Sequence, residues 1–364
     1  MELLLLLTMA YLRLLLLPFS VLYGLVIWLR NRCYDWGWVK SVGFDKPVIV
    51  VGNLAVGGTG KSPMTEYLVR LLSRHYQVAI LSRGYGRKTN GFLEVALDGT
   101  AEQYGDEPLQ FKRKFPHVTV AVDENRVHGA RLLFRGSHEA IVLDDAYQHR
   151  ALRPGFAILL FDYRSMSQSK WLLPVGNYRD SFRERRRADI MVVTKMPSTA
   201  TEAEKCRIRR SLTTTRQIPV LFSSIGYGPL VPLLPDKHSG EATLSSEHTI
   251  LLVTGIANPA PLYDYLNAQV RDVVQLRYPD HYPYTLATMQ TIMTRFGKIG
   301  NPSKLIVTTE KDAQRLLMPT FSTRLADLPI YVVPIHAQFD EPDESILQQL
   351  VLRYCANTSG GNSV

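Results

Sequence analysis

The first apolar pattern in the chain is continuous rather than periodic. From residue 3 to residue 29 nearly every position is apolar, and Arg13 is the only charge. As a helix this stretch would be roughly 40 Å long, enough to cross a hydrocarbon core of about 30 Å. Arg13 would cost about 2.5–3.5 kcal/mol near a bilayer centre unless it reached a surface, so a helix lying in the interface competes with a crossing one. No basic segment precedes the run and no small-residue cleavage site is evident, which argues against a cleaved signal. Arg30, Arg32 and Lys40 follow at once and place what comes next on the cytoplasmic side, while Trp28, Trp36 and Trp38 suit a membrane–water boundary. Residues 1–30 are therefore expected to form an N-terminal membrane-anchoring helix.

Downstream, short apolar runs alternate with polar, helix-compatible stretches. Val48–Val51, Val78–Leu81, Val118–Val122, Ala140–Leu143, Phe156–Phe161 and Ile190–Val193 are apolar at successive positions. Such runs are strands buried on both faces, as in a mainly parallel sheet covered by helices. From about Thr213 to His248 proline, glycine and serine interrupt the pattern, and residues 216–248 are expected to be a linker. Alternation resumes with Thr249–Val253, Val273–Leu276, Leu305–Thr308 and Ile330–Val333. The expected organisation is a first α/β domain over 31–215, a smaller α/β domain over 249–355 closing over the active site, and a disordered tail over 356–364.

Between the first of these strands and a helix-compatible segment lies Gly57-Gly58-Thr59-Gly60-Lys61-Ser62. Strand, glycine-rich turn, Lys-Ser and helix, in that order, form a phosphate-binding P-loop. Glycines let backbone N–H groups curl around a phosphate chain, Lys61 reaches the β/γ-phosphates, and the Ser62 hydroxyl can hold Mg²⁺. The position five residues before Gly60, usually glycine, is Ala55. The chain is thus expected to bind ATP or GTP, and the fold is expected to be a P-loop NTPase-like parallel sheet sandwich with a second, smaller α/β domain.

Composition narrows the class. The 364 residues are 46% hydrophobic and 21% charged, which is an ordered globular balance. The net charge of +9 favours anionic partners, but no RNA or DNA motif accompanies it, so nucleic acid is not an expected partner. Cys33, Cys206 and Cys355 match neither a zinc pattern nor a redox pair.

Other constellations sit where α/β sheets gather ligand contacts. Asp144-Asp145 ends a strand, where an acidic residue helps to hold Mg²⁺ across from the P-loop hydroxyl, and alternation sends the two side chains in different directions. Gly105-Asp106-Glu107-Pro108 by itself is a helix N-terminus capped by Asp106. Asp280-His281 and Thr309-Glu310-Lys311-Asp312 are equally ambiguous alone. Arg179, Arg183, Arg185, Arg186 and Arg187 form either a solvated face or a surface for anionic lipid or a substrate phosphate.

Taken together the motifs resemble one family, the membrane-bound tetraacyldisaccharide 4′-kinases (lipid A 4′-kinases) of Gram-negative bacteria. The resemblance rests on Val51-Gly-Asn53 with Gly57 to Pro63, Ser82-Arg-Gly-Tyr-Gly-Arg87, Gly105-Asp-Glu-Pro108, Asp144-Asp-Ala-Tyr-Gln-His149, Leu173-Pro-Val-Gly176 with Arg179, Asp280-His281 and Thr309-Glu-Lys-Asp312. These run in family order over nearly the whole chain, and Ala55 fits the family's variant of the loop. Ser62 stands where threonine is usual and Ala146 where glycine is usual; neither change removes a reactive group.

The resemblance implies transfer of the ATP γ-phosphate, with Mg²⁺, to the 4′-hydroxyl of an acylated glucosamine disaccharide 1-phosphate at the inner membrane, with the catalytic domains on its cytoplasmic face. It implies Asp106 as general base assisted by His281, with Lys61 offsetting phosphate charge. It also makes Asp145, Gln148, Arg126 and Arg179 candidates for the sugar and 1-phosphate, with Ser62 and Asp144 on the metal. The rival expectations are another membrane-associated P-loop phosphotransferase or GTPase, since Thr194-Lys195 superficially resembles a guanine-reading strand end, and a nucleotide-switched membrane adaptor. The sequence gives no signal for oligomeric state.

Overall fold

The computed structural model describes residues 15–234, 242–318 and 327–359, together with Phe321 and Leu325. It begins with helix α1 (Leu17–Asp35). Strand β1 (Val48–Asn53) then leads through the glycine loop into α2 (Lys61–Leu72). There follow β2 (Val78–Ser82), β3 (Leu93–Glu94), α3 (Ala101–Tyr104), α4 (Asp106–Lys114), β4 (Thr119–Val122), α5 (Arg126–Arg135), β5 (Ala140–Asp144), β6 (Phe156–Asp162) and β7 (Ile190–Thr194). Helix α6 (Glu202–Leu212) precedes β8 (Val220–Tyr227) and β9 (Val231–Pro232). The remaining elements are β10 (Thr249–Thr254), α7 (Ala260–Asn267), β11 (Asp272–Arg277), α8 (Leu286–Gly297), β12 (Lys304–Thr309), α9 (Glu310–Leu316), β13 (Ile330–Val333), β14 (Ile335–Phe339) and α10 (Asp343–Ser359).

Nine strands form one sheet in the order β14-β8-β7-β6-β1-β5-β2-β4-β3. Its seven central strands are parallel and only the edges, β3 on β4 and β14 on β8, are antiparallel. Alternate residues of β1 enter two separate cores, Ile49 and Val51 on one face and Val48 and Val50 on the other. This is why the strand is apolar at every position. Five strands form the second sheet, β11-β10-β12-β13-β9, with its own cores around Leu251, Val253 and Ile306 and around Ile250 and Leu252.

The sheets divide the chain differently from the expected boundaries. Within the expected linker, β8 pairs in parallel with β7, and β9 joins the second sheet. After β13 the chain leaves the second sheet: β14 pairs with β8, and α10 buries Leu347, Val351 and Cys355 in the first core. The second unit therefore ends near Pro334 rather than at 355, because the last helix has an apolar face that only the first sheet covers. Residues 356–359, placed in the disordered tail, are the last turn of α10; residues 360–364 lie outside the described residues.

Among the described residues no helix is long and apolar enough to cross a membrane. Residues 1–14 of the expected anchoring helix lie outside the described residues. Helix α1 instead turns one stripe toward the protein. Ser20 Oγ donates to Leu172 O (2.9 Å), Tyr23 Oη to Arg179 O (2.8 Å), and Asn31 Nδ2 to Asp180 Oδ1 (2.8 Å). Positions 20, 23, 27 and 31 fall on one helical face. Phe19, Val21, Leu22, Leu25, Val26 and Leu29 are exposed, each at about half or more of its full surface.

Candidate active site

The P-loop is a turn that its glycines permit and its neighbours pin. Gly57 and Gly60 have φ of 110° and 80°, and Gly60 hands the chain directly to the first residue of α2, Lys61. No side chain caps α2, so its first N–H groups face the loop, where an anion is favoured. Asn53 Nδ2 donates to Thr59 Oγ1 (2.8 Å) and Thr194 Oγ1 to Thr59 O (2.9 Å). Lys195, at φ 58°, donates to Gly58 O and pairs with Asp162 Oδ2 at 2.7 Å. Thr194-Lys195 thus braces the phosphate loop, a role that its superficial likeness to a guanine-reading strand end did not suggest.

At the neighbouring strand end the paired aspartates separate, because Asp144 ends β5 and Asp145 leaves the strand in a left-handed conformation. Asp144 points inward, is buried, and accepts from Thr65 Oγ1 on α2 at 3.0 Å. Burial, reinforced by the charge of Asp145, pushes its pKa up to about 7. Asp145, at φ 50°, faces Lys61 Nζ at 3.7 Å and Arg179, whose Nη2 lies 2.8 Å from Oδ1. Burial opposes its ionisation, but Lys61, Arg179 and Arg126 outweigh that and hold it below the usual carboxylate range. Gln148 Nε2 donates to Asn53 O, and Arg179 also donates to Asn53 Oδ1, so these two candidate substrate residues meet at the end of β1. Beside them Arg126 is buried with its Nη1 on Glu124 O (3.0 Å). Arg126 Nε, Arg179 Nε and His149 Nε2 have no hydrogen-bond partner among the described residues. Burial, with Arg126 and Arg83 nearby, lowers the His149 pKa to about 4. Buried guanidinium N–H groups without partners, Arg126 Nε and Arg179 Nε, suit an anionic ligand.

The second unit reaches this region through α9, which packs against α4. Lys311 Nζ pairs with Glu107 Oε1 (2.6 Å), Arg113 Nη1 donates to Gln314 Oε1 (2.6 Å), and Lys114 bridges Glu310 of α9 and Glu66 of α2, both at 2.6 Å. Asp106 opens α4 because Gly105 precedes it at φ 92°, where an added Cβ would lie 2.8 Å from Tyr85 O. Its Oδ2 lies 3.3 Å from His281 Nδ1. The two weakly marked residues, Asp106 and His281, therefore do meet. Arg315, which the motifs did not single out, reaches the same oxygen with Nε at 2.9 Å and Nη2 at 2.8 Å. Burial would raise the Asp106 pKa; His281 and Arg315 together bring it below its ordinary value, while the bond to Asp106 raises that of His281.

The residues fit MgATP. Among the described residues no group of three or more His, Cys, Asp or Glu side chains is arranged to hold a metal. Mg²⁺ in phosphotransferases needs only one or two protein oxygens and takes the rest from phosphates and water. The buried Asp144 carboxylate offers one such oxygen close to the first turn of α2, where Ser62 stands. The arginines expected to form one cluster do not act as one. Arg179 reaches Asp145 (2.8 Å), whereas Arg187 pairs with Glu184 (2.7 Å) and donates to Tyr147 O (3.1 Å), and Arg185 Nη1 donates to Phe182 O (3.0 Å).

Comparison with known proteins agrees with this geometry over almost the full chain. The family model described as tetraacyldisaccharide-1-P 4′-kinase matches residues 12–354. A tetraacyldisaccharide 4′-kinase of Bacteroides thetaiotaomicron is 41% identical over 358 residues, 95% of this chain and 94% of that one. One of Flavobacterium johnsoniae is 42% identical over 344 residues, covering 94% and 98% of the two chains. The crystal structure of the "apo" form of LpxK from Aquifex aeolicus in complex with ATP superposes with a TM-score of 0.73 at 30% identity, over 94% of this chain and 99% of that one. The chain belongs to the tetraacyldisaccharide-1-P 4′-kinase family.

Proposed function

We propose that this protein transfers the γ-phosphate of ATP to the 4′-hydroxyl of a tetraacylated glucosamine disaccharide 1-phosphate, giving the 4′-phosphorylated lipid of lipid A biosynthesis. The observation that carries this reading is the family match over residues 12–354, joined to a P-loop beside a buried carboxylate with Asp106 and His281 brought together from two units.

MgATP, when bound, supplies a γ-phosphorus whose charge is partly offset by the metal. The Ser62 hydroxyl and the Asp144 carboxylate would hold the Mg²⁺, with Thr65 fixing the carboxylate. Gly57, Gly58, Thr59 and Gly60 present backbone N–H groups to the phosphates, and Lys61 counters the charge gathering on them. Asp106 accepts the 4′-hydroxyl proton as the oxygen attacks phosphorus and the bond to ADP breaks. His281 orients that carboxylate. Arg126 and Arg179 take the substrate's 1-phosphate, with Asp145 and Gln148 on the sugar, because their unpaired nitrogens need an anionic acceptor.

The outward face of α1 lies on the cytoplasmic surface of the bacterial inner membrane, where the acyl chains are. Its exposed Phe19, Leu22 and Leu25 support this, as does its attachment to the loop between β6 and β7 that carries Arg179. The test is ADP release by purified protein in Mg²⁺ and ATP, with and without vesicles containing the disaccharide lipid. Release that requires the lipid and resists competition by GTP is expected. Nucleotide binding without lipid-dependent release would favour the switched adaptor, and competition by GTP a GTPase.

A further inference from the structure

Three contacts converge on a single oxygen of Asp106. Arg315 Nε (2.9 Å), Arg315 Nη2 (2.8 Å) and His281 Nδ1 (3.3 Å) all meet Oδ2, and among the described residues none meets Oδ1. Arg315 is itself held. Its Nη1 donates to Asp312 Oδ1 (3.2 Å) and to Gly255 O (3.4 Å), and the backbone N of His281 donates to the same carbonyl (3.1 Å). Asp312 is fully buried and also accepts from Gly255 N (3.0 Å), Tyr284 Oη (3.1 Å) and Thr309 Oγ1 (2.7 Å). Both partners of Asp106 therefore hang from one rigid point of the second unit, and Asp106 belongs to the first.

We infer that Arg315 is the positioning residue of the general base: by occupying Oδ2 from the second unit, its guanidinium leaves Oδ1 as the oxygen offered to the acceptor hydroxyl. The inference rests on Asp106 being that base. Two guanidinium N–H groups at 2.9 and 2.8 Å hold Oδ2 more firmly than a lone imidazole at 3.3 Å does. Arg315 also keeps the carboxylate ionised. The other charged or titratable groups around it are Glu107 on α4, Lys311 and Asp312 on α9, Asp280 and His281 after β11, and Tyr85, whose ring lies 6.2 Å from that of His281. Lys311 pairs with Glu107, whereas Arg315, although its Nη1 meets Asp312, places Nε and Nη2 directly on Asp106.

The experiment is the pH profile of kcat for the full chain on lipid vesicles with MgATP, in wild type, Arg315→Gln, Arg315→Lys and Asp106→Asn, with ATP binding measured on each. Arg315→Gln is expected to lower the plateau roughly 10–100-fold, as small misplacements of a reacting group do. It should also move the acidic limb up by about one unit or more, because a cation has left the carboxylate. Arg315→Lys should keep the limb and recover only part of the plateau. An unmoved limb in Arg315→Gln, with or without a lower plateau, overturns the inference. If that variant loses ATP binding, Arg315→Lys decides: a plateau several-fold below wild type is expected, and a wild-type plateau overturns it. Asp106→Asn separates the two levels, since wild-type turnover there removes the base itself, whereas its inactivity beside an unaffected Arg315→Gln removes Arg315 alone.

Discussion

His281 Nδ1 lies 3.3 Å from Asp106 Oδ2 although 175 residues separate them, one on each side of the boundary between the two units. Two groups serving one proton transfer should not lose activity independently. Asp106→Ala is expected to cut kcat by roughly 10²–10⁴-fold, and His281→Ala to lower kcat as well, with the double variant far less than multiplicative. ATP affinity should survive in all three. A double-mutant cycle on kcat, with direct ATP binding beside it, checks this; multiplicative losses would mean separate roles.

The same pair sets the pH window. Asp106 is held below its ordinary 3.8, and His281 above its ordinary 6.5 by the bond to Asp106. With Mg²⁺ saturating, so that the metal keeps Asp144 ionised, activity should fall on the acid side as the depressed Asp106 carboxylate protonates, and on the alkaline side only above the ordinary histidine value. Stability follows the same signs. The Asp106 contribution is present above its unfolded pKa and lost as pH falls through the folded one; the His281 contribution is present below its unfolded pKa and lost as pH rises through the folded one. In His281→Gln the alkaline limb should vanish and the acidic limb persist but move up, because His281 also lowers the Asp106 pKa, as a kcat profile would reveal.

Thr65 and Asp144, 3.0 Å apart, make a specific statement about the metal. Asp144→Asn and Ser62→Ala should each raise the Mg²⁺ concentration needed for half-maximal rate, and Thr65→Val should do so more weakly by releasing the carboxylate. Lys61→Ala should lower kcat by roughly 10²–10³-fold at any Mg²⁺, the scale of losing one charge-stabilising donor. Mg²⁺ titrations of the four variants distinguish these roles.

Helix α1 offers Phe19, Leu22 and Leu25 outward while its other face holds Leu172, Arg179 and Asp180. Replacing those three side chains with serine should weaken vesicle binding and raise KM for the lipid, leaving KM for ATP near wild type. Equal lipid kinetics on vesicles would remove the membrane role of that face.

Much of this was legible in the sequence, and the exceptions have physical causes. Ten apolar runs marked ten strands, because parallel strands covered on both faces must be apolar throughout. Strand β8 escaped notice because Ser223, Ser224 and Gly226 interrupt it, and β14 because it alternates on an edge and follows Pro334 so closely that it merges with the strand before it. The family resemblance brought Asp106 and His281 forward, but Arg315 and Thr65 lie one helical turn beyond the motif residues Lys311-Asp312 and Lys61-Ser62. Their contacts depend on how α9 meets α4 and how α2 meets β5, which no local pattern encodes.

One particular hydroxyl of the lipid, that at the 4′ position, receives the phosphate. Incubation of the purified protein with Mg²⁺, ATP and the tetraacyldisaccharide 1-phosphate, followed by phosphorus–proton correlation of the product, reads that position directly. A second phosphomonoester coupled to the 4′ proton, formed in wild type and lost in Asp106→Ala, is the expected result. A phosphate on any other position, or ATP turnover without a phosphorylated lipid, would contradict the account.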